Sequence, residues 1–214
     1  MCQLQTKLSR CIVAGMAAQV RYLTHPQVQI DPGVPVPSWG LSDIGKARVR
    51  ALVEAGWLAG TTQAISSGER KAIETAKPIA VALNIDLEIR LAMHENDRSA
   101  TGFLPPAEFE AIADRFFANP MVSVRGWERA VDAQERIVYE VETVLDRSEE
   151  GDVLFVGHGA VGALLLCHLS KIKIARAHDQ PSGGGHYFSF LKESRHVLHG
   201  WRAIEEAPEM QHSV

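Results

Sequence analysis

Residues 152–159 read DVLFVGHG and run without a break into AVGALLLCHLS, and no other stretch of the 214-residue chain restricts the fold so tightly. A strand that is apolar on successive residues has no face left for water, which predicts a strand in the interior of a sheet covered on both sides. The apolar helix that follows at once supplies the crossover that parallel strands require. The same alternation runs through the rest of the chain. Val20 to Thr24 predicts a short buried strand, and QIDPGVPVPSWG over 29–40, with its three prolines and two glycines, predicts a loop. LSDIGKARVRALVEAGWLAG predicts a helix capped by Ser42, with Ile44, Ala47, Ala51 and Leu52 at roughly helical spacing. TQAISS reads as a strand, ERKAIETAKPIAVALN as a helix in which Pro78 marks a kink or break, and DLEIR as a brief strand. From His94 to about Arg125 the pattern loosens into an excursion with a helix after the proline pair, and WERAVDAQERIVYEVETVLDRS is a long amphipathic helix. Two β segments, HYFSFL and HVLHGW, follow an SGGG turn. The pattern predicts an α/β fold, three-layer α/β/α with a mostly parallel sheet. Its expected divisions are an N-terminal extension over 1–19, a single domain over 20–205 with the excursion at about 94–125, and a C-terminal tail over 206–214.

Composition narrows the function. A hydrophobic share of 46% supplies a full core, while a formal charge of −4 and a pI near 6.1 leave no basic field across the chain. Nucleic acid is therefore not an expected partner, and an anionic ligand has to be held by a local cluster. No apolar run reaches the roughly 20 residues that a membrane-spanning helix needs, so no membrane association is expected. Cys2, Cys11 and Cys167 are odd in number and lack metal-ligand spacing, which fits a reducing, cytoplasmic location. The start MCQLQTKLSRCIVAGMAAQ has a basic segment before an apolar run that is short and weakly apolar for a signal peptide. It reads instead as a loose extension, or as sequence ahead of a natural start at Met16.

Chemistry is expected where strands end, because ligands of open α/β sheets sit beyond the carboxyl ends of the strands. His25 and His158 each follow such a strand and become neighbours if the two strands are adjacent. A lone histidine at a strand tip is usually structural or solvated; two at equivalent places point to a shared site. His158 also opens a helix in GHGA, where free N–H groups and the helix dipole favour an anion and Gly159 lets the main chain come close to a ligand.

These segments resemble the histidine phosphatase superfamily, the phosphoglycerate mutase-like proteins, over roughly residues 20–191. The family's first strand ends in Arg-His-Gly with the histidine as nucleophile; YLTHP stands in that place and His25 matches it. LSDIGKARVRAL reproduces a second segment through Leu41, Ser42, Gly45 and Leu52, and SGERKAIETA a third through Ser67, Ala72, Thr75 and Ala76. Glu95 in HEND corresponds to the later acidic residue, and His158 in VGHGAVG to the second histidine. Thr-His-Pro replaces Arg-His-Gly, so one phosphate-clamping arginine has become Thr24. At the second arginine position stands Lys71, with Arg70 one residue earlier, and a lysine does not reproduce the bidentate fork of arginine. Arg70, Lys71, Arg98 and Arg21 are the candidates to rebuild the clamp, with Arg70 ranked first and Arg21 placed too far from the strand tip. Pro26 removes an N–H but keeps the carbonyl that can fix the tautomer of His25.

The resemblance implies a phosphatase acting on a phosphorylated small molecule or protein. His25 would attack phosphorus, and His158 with Arg70 or Lys71 would hold the oxygens. Glu95 would protonate the leaving oxygen and then take a proton from water, without metal or cofactor. His94 and Arg98 flank Glu95 and are weighed equally as substrate contacts or a solvated turn; His186 reads as a turn-edge residue, and Trp39 and Phe103 as mouth or core aromatics. Two other readings stand beside this one. Thr24 and Lys71 favour a protein that has kept the fold, lost most turnover and binds an anionic ligand or partner. A metal-dependent hydrolase using His25, His94 and His158 is disfavoured by the lack of a close ligand-pair motif.

Overall fold

Strand β1 (Gln19–Thr24) is buried along nearly its whole length, because successive side chains enter two different cores. Val20 and Tyr22 pack on one side of the sheet and Leu23 on the other. The structure, a computed structural model, describes residues 17–206, so Cys2, Cys11, Met16 and most of the expected extension and tail lie outside the described residues. β2 (Thr61–Ser67), β3 (Leu87–Arg90), β4 (Asp152–Gly157), β5 (His186–Leu191) and β6 (Val197–Ala203) complete a six-stranded sheet in the order β3-β2-β4-β1-β5-β6. β3, β2, β4 and β1 are mutually parallel, and β5 and β6 are antiparallel additions. The interior position of β4 agrees with its unbroken apolar run.

Helices α1 (Asp43–Ala55) and α2 (Arg70–Leu83) cover one face, where Leu52, Ala72, Ala76 and Ile79 meet Leu23, Leu154 and Val156. Helices α3 (Pro106–Ala118), α4 (Ala130–Leu145) and α5 (Gly159–Leu169) cover the other, around Phe116, Trp127, Ile137, Val161 and Leu164. This is the expected three-layer arrangement. Cys167 is a free thiol buried in α5, and among the described residues no helix is long and apolar enough to cross a membrane.

Two local expectations need correction. Ser42 does cap α1, accepting the Gly45 N–H at 3.2 Å, but the helix buries Gly45, Val49 and Leu52, whereas Ile44 is 64% exposed and Ala47 and Ala51 face solvent. The rotation follows from a close approach: a Cβ on Gly45 would lie 2.3 Å from the Gln27 carbonyl oxygen, so only glycine lets α1 dock on the segment leaving His25. The second correction is Pro78. Helix α2 passes through it without a break, because the ring sits on the solvent face, where water can reach the carbonyl it leaves unbonded.

Candidate active site

Parallel pairing of β1 with β4 sets Thr24 opposite Gly157, so the next residue of each strand, His25 and His158, emerges at the same edge. Their rings meet edge to face with centroids 5.3 Å apart, close enough to bear on one tetrahedral group. The His25 N–H donates to the Gly157 carbonyl at 3.1 Å, and the His25 carbonyl accepts from Gly185 at 2.9 Å. That second bond needs the SGGG turn: Gly184 has φ +64°, and a Cβ there would stand 2.3 Å from the His25 oxygen.

The His25 ring is fixed by its own neighbour. Nδ1 lies 2.9 Å from the Pro26 carbonyl; a carbonyl only accepts, so Nδ1 carries the proton and Nε2 keeps its lone pair. Burial, reinforced by the charge of Lys71 and opposed by the Pro26 bond, pushes His25 down to about 4, and it is neutral at pH 7. His158 is the N-cap of α5 and fully buried. Tyr22, on β1, ties it down, its hydroxyl accepting the His158 N–H at 3.2 Å and donating to the His158 carbonyl at 3.3 Å. His158 Nε2 is 2.8 Å from Ser67 Oγ at the end of β2. Burial also pushes this imidazole well below its ordinary value.

Of the expected clamp residues, the structure brings Lys71 and not Arg70 to the histidines. Arg70 Nε is paired with Glu74 at 2.7 Å, its side chain is 65% exposed, and it points to the outer side of α2. One residue on, about 100° around the helix, Lys71 is buried, donates to the Val36 carbonyl at 3.0 Å and pairs with Glu69. Arg21 pairs with Asp152 at the opposite end of β1, away from the site. Arg98 lies over the Phe109 ring at 4.9 Å and lines a cavity of about 490 Å³ together with Pro35, Val36, Glu69, His94 and Glu95. Thr24 offers little to a ligand: its hydroxyl lies 2.6 Å from Gln180 Oε1, 3.2 Å from the His186 carbonyl and 3.0 Å from the His186 N–H it accepts. His186 reaches the site through its main chain. Gly159 is pressed by Gln180, whose amide nitrogen would be 2.4 Å from an added Cβ. Trp39 and Phe103 pack on each other at 5.8 Å.

Glu95 is joined to the site through α5. Its Oε1 accepts the N–H groups of Asn96 at 3.0 Å and Val161 at 3.1 Å, and its Oε2 that of Ala160 at 3.3 Å, which is where a helix N-terminus favours negative charge. The loop that carries Glu95 is held from behind by Arg136 of α4, which donates to the carbonyls of Ala92 at 2.7 Å and His94 at 2.9 Å. His94 Nδ1 is bonded to the Glu95 carbonyl at 2.6 Å, so its ring steadies the same turn. No group of three or more His, Cys, Asp or Glu side chains among the described residues is arranged to hold a metal ion.

Sequence reasoning missed Glu69. It follows β2 by two residues, is 8% exposed, and inserts a carboxylate between Lys71 and His158: Oε2 takes the Lys71 ammonium, and Oε1 lies 3.5 Å from His158 Nε2 and accepts the Glu95 N–H at 2.9 Å. Burial works to raise its pKa, but His158, Lys71 and the Glu95 amide together hold it down to about 2. Its signal was positional, since it lies just past the carboxyl end of a parallel strand, as both histidines do. Tyr22 and Gln180 were missed for another reason: their roles arise from contacts across 136 and 156 residues of sequence.

A family model for the histidine phosphatase superfamily (branch 1) matches residues 26–189, beginning one residue after His25. Among curated protein sequences none matches. Solved structures share the fold. A mycobacterial glucosyl-3-phosphoglycerate phosphatase superposes with a TM-score of 0.70 at 20% identity, covering 87% of this chain and 97% of that one. Bacillus stearothermophilus YhfR gives 0.72 at 18% identity, with 86% and 95% covered. A phosphoserine phosphatase mutant from Entamoeba histolytica, in complex with phosphoserine, gives 0.72 at 12% identity, with 88% and 98% covered.

Proposed function

The chain belongs to the histidine phosphatase superfamily (branch 1), and from that premise we propose that it hydrolyses a phosphate monoester, of a small metabolite or a phosphoprotein, through a phosphohistidine on His25. The observation that carries this reading is the His25 ring itself: neutral, its Nδ1 proton committed to the Pro26 carbonyl, its Nε2 lone pair left for phosphorus, and His158 beside it. Attack by Nε2 forms the N–P bond as the P–O bond to the leaving alkoxide breaks. Glu95, on the cavity wall, passes a proton to that oxygen, and water then cleaves the N–P bond with Glu95 receiving its proton. Lys71, Arg98 and the α5 N-terminus around Gly159 supply positive potential to the phosphoryl oxygens.

A second reading has specific support. The hydroxyl of Thr24 is taken up by structural bonds and the charge of Lys71 is shared with Glu69, which favours a phosphatase-like protein of weak turnover that binds an anionic ligand or partner. Hydrolysis of a generic aryl phosphate, measured with and without chelator, separates the two. Turnover is expected in both conditions and is expected to drop at least about 1,000-fold in His25→Ala, the scale at which single members of a covalent catalytic unit act. An unimpaired rate in that variant removes the covalent mechanism, and no turnover in the unsubstituted protein, with phosphate still bound, selects the second reading.

A further inference from the structure

We propose that Glu69 is a tethered anion filling the oxygen-binding position between Lys71 and His158, so that a phosphoryl group reaches Lys71 and His158 only by displacing this carboxylate. The inference rests on the reading of the His25–His158 pocket as a phosphoryl site. Both carboxylate oxygens face groups that a bound oxyanion would need: Lys71 Nζ on Oε2 and the Glu95 N–H at 2.9 Å on Oε1, with His158 Nε2, itself bonded to Ser67 Oγ at 2.8 Å, 3.5 Å from the same Oε1. A carboxylate and a phosphate offer those donors the same chemistry, a compact group of anionic oxygens.

The position of Glu69 in the cavity points the same way. The space of about 490 Å³ has Glu69 and Glu95 on its wall, and neither His25 nor His158 is among its lining residues. His158 is fully buried and Glu69 reaches the cavity wall, so the carboxylate stands between the open volume and His158. Glu69 is also the N-cap residue of α2, yet its side chain makes no cap hydrogen bond. It is turned into the pocket, and the first turn of its own helix keeps N–H groups without a side-chain cap. A displaced carboxylate has an alternative place there, at the positive end of the helix dipole. The cost of displacement falls on every anionic ligand, since a second anion beside a retained Glu69 meets repulsion in a poorly solvated space.

Titration with inorganic phosphate, followed by calorimetry, tests the proposal without relying on turnover. Glu69→Gln and Glu69→Ala are each expected to bind phosphate at least about tenfold more tightly than the unsubstituted protein, and adding Lys71→Met is expected to cancel the gain. Folded variants that bind phosphate no more tightly overturn the proposal. A measurement on the unsubstituted protein guards against misfolding of the variants: with 13C-carboxyl-labelled glutamate, the Glu69 resonance is expected to shift as phosphate saturates the site, and an unmoved resonance at saturation also overturns the proposal. Unaltered phosphate affinity in the Glu69 variants, with aryl phosphate turnover persisting, removes this inference alone. Turnover unimpaired in His25→Ala removes the catalytic reading while leaving the phosphate titrations to judge Glu69.

Discussion

At the scale of single residues, which cation faces the histidines is decided by rotation about a helix axis. Arg70 and Lys71 are adjacent in sequence and both cationic, yet one step of about 100° sends the first outward to Glu74 and the second inward to Glu69 and Val36. The one-residue shift at the strand-helix junction that would bring the Arg70 guanidinium to the histidines is not what the helix presents, since Arg70 is paired with Glu74 and exposed. The expected outcome is that Lys71→Ala lowers kcat/KM for an aryl phosphate by about 100-fold, the scale of a lost oxyanion donor. Arg70→Ala, which removes an exposed pair, is expected to change it by less than about threefold. Steady-state kinetics on the two variants checks this, and the reverse ranking would return the clamp to Arg70. The retained carbonyl of Pro26 was legible without a structure, because a proline loses its N–H and nothing else that the His25 ring needs.

At the scale of elements, the site is assembled by two tethers that hold loops to neighbouring secondary structure. Tyr22 reaches from β1 to the main chain of His158 at the junction of β4 and α5. Tyr22→Phe leaves a buried N–H without its acceptor, which costs about 1–3 kcal/mol; urea melts are expected to show that loss, together with a lower kcat, because His158 loses its fixed position. Arg136 does the equivalent work from α4, holding the Glu95 loop through the Ala92 and His94 carbonyls and pairing with Glu128 at 2.7 Å. Arg136→Leu is expected to cost about 3 kcal/mol or more, as breaking a largely buried pair does, and to speed amide exchange across residues 91–98 ahead of the sheet. Exchange that stays slow in that loop would show that the excursion is held by other contacts. The elements themselves were legible, since β1, β4 and β5 appeared as short apolar runs and α1 began at its serine cap. The tethers were not, because a tyrosine in an apolar run gives no sign of which distant amide it will meet.

At the scale of the whole molecule, the buried groups of the site make stability depend on pH. Above pH 6.5 His25 and His158 are neutral in the folded and unfolded chain alike and add no pH dependence. Below 6.5 the unfolded chain binds protons that the folded chain refuses, so stability falls with pH, down to about 4 for His25 and further for His158. For His25 alone the loss is about 3 kcal/mol across that window. Glu69 extends the fall: its contribution is present above about 4.5 and is lost as pH drops toward 2. Chemical denaturation at intervals from pH 7.5 to 4 is expected to show this decline, reduced in His25→Ala; a flat profile would mean that the imidazoles are solvated in the folded chain. With His25 as the proposed nucleophile, the same low value is expected to place the acid limb of kcat/KM near pH 4 instead of 6.5.

The sequence by itself determined the layered α/β architecture and the pair of histidines. Unbroken burial on strands such as β1 and β4, with apolar crossovers between them, leaves few ways to remove that surface from water. A strand's end is also fixed by where its apolar run stops. Only the tertiary structure decided which cation faces the histidines, where the docked face of α1 lies, and that Glu69 stands between Lys71 and His158. Each of these turns on an angle or a contact between distant segments, set by packing density and close approach, and residue types in a line carry neither.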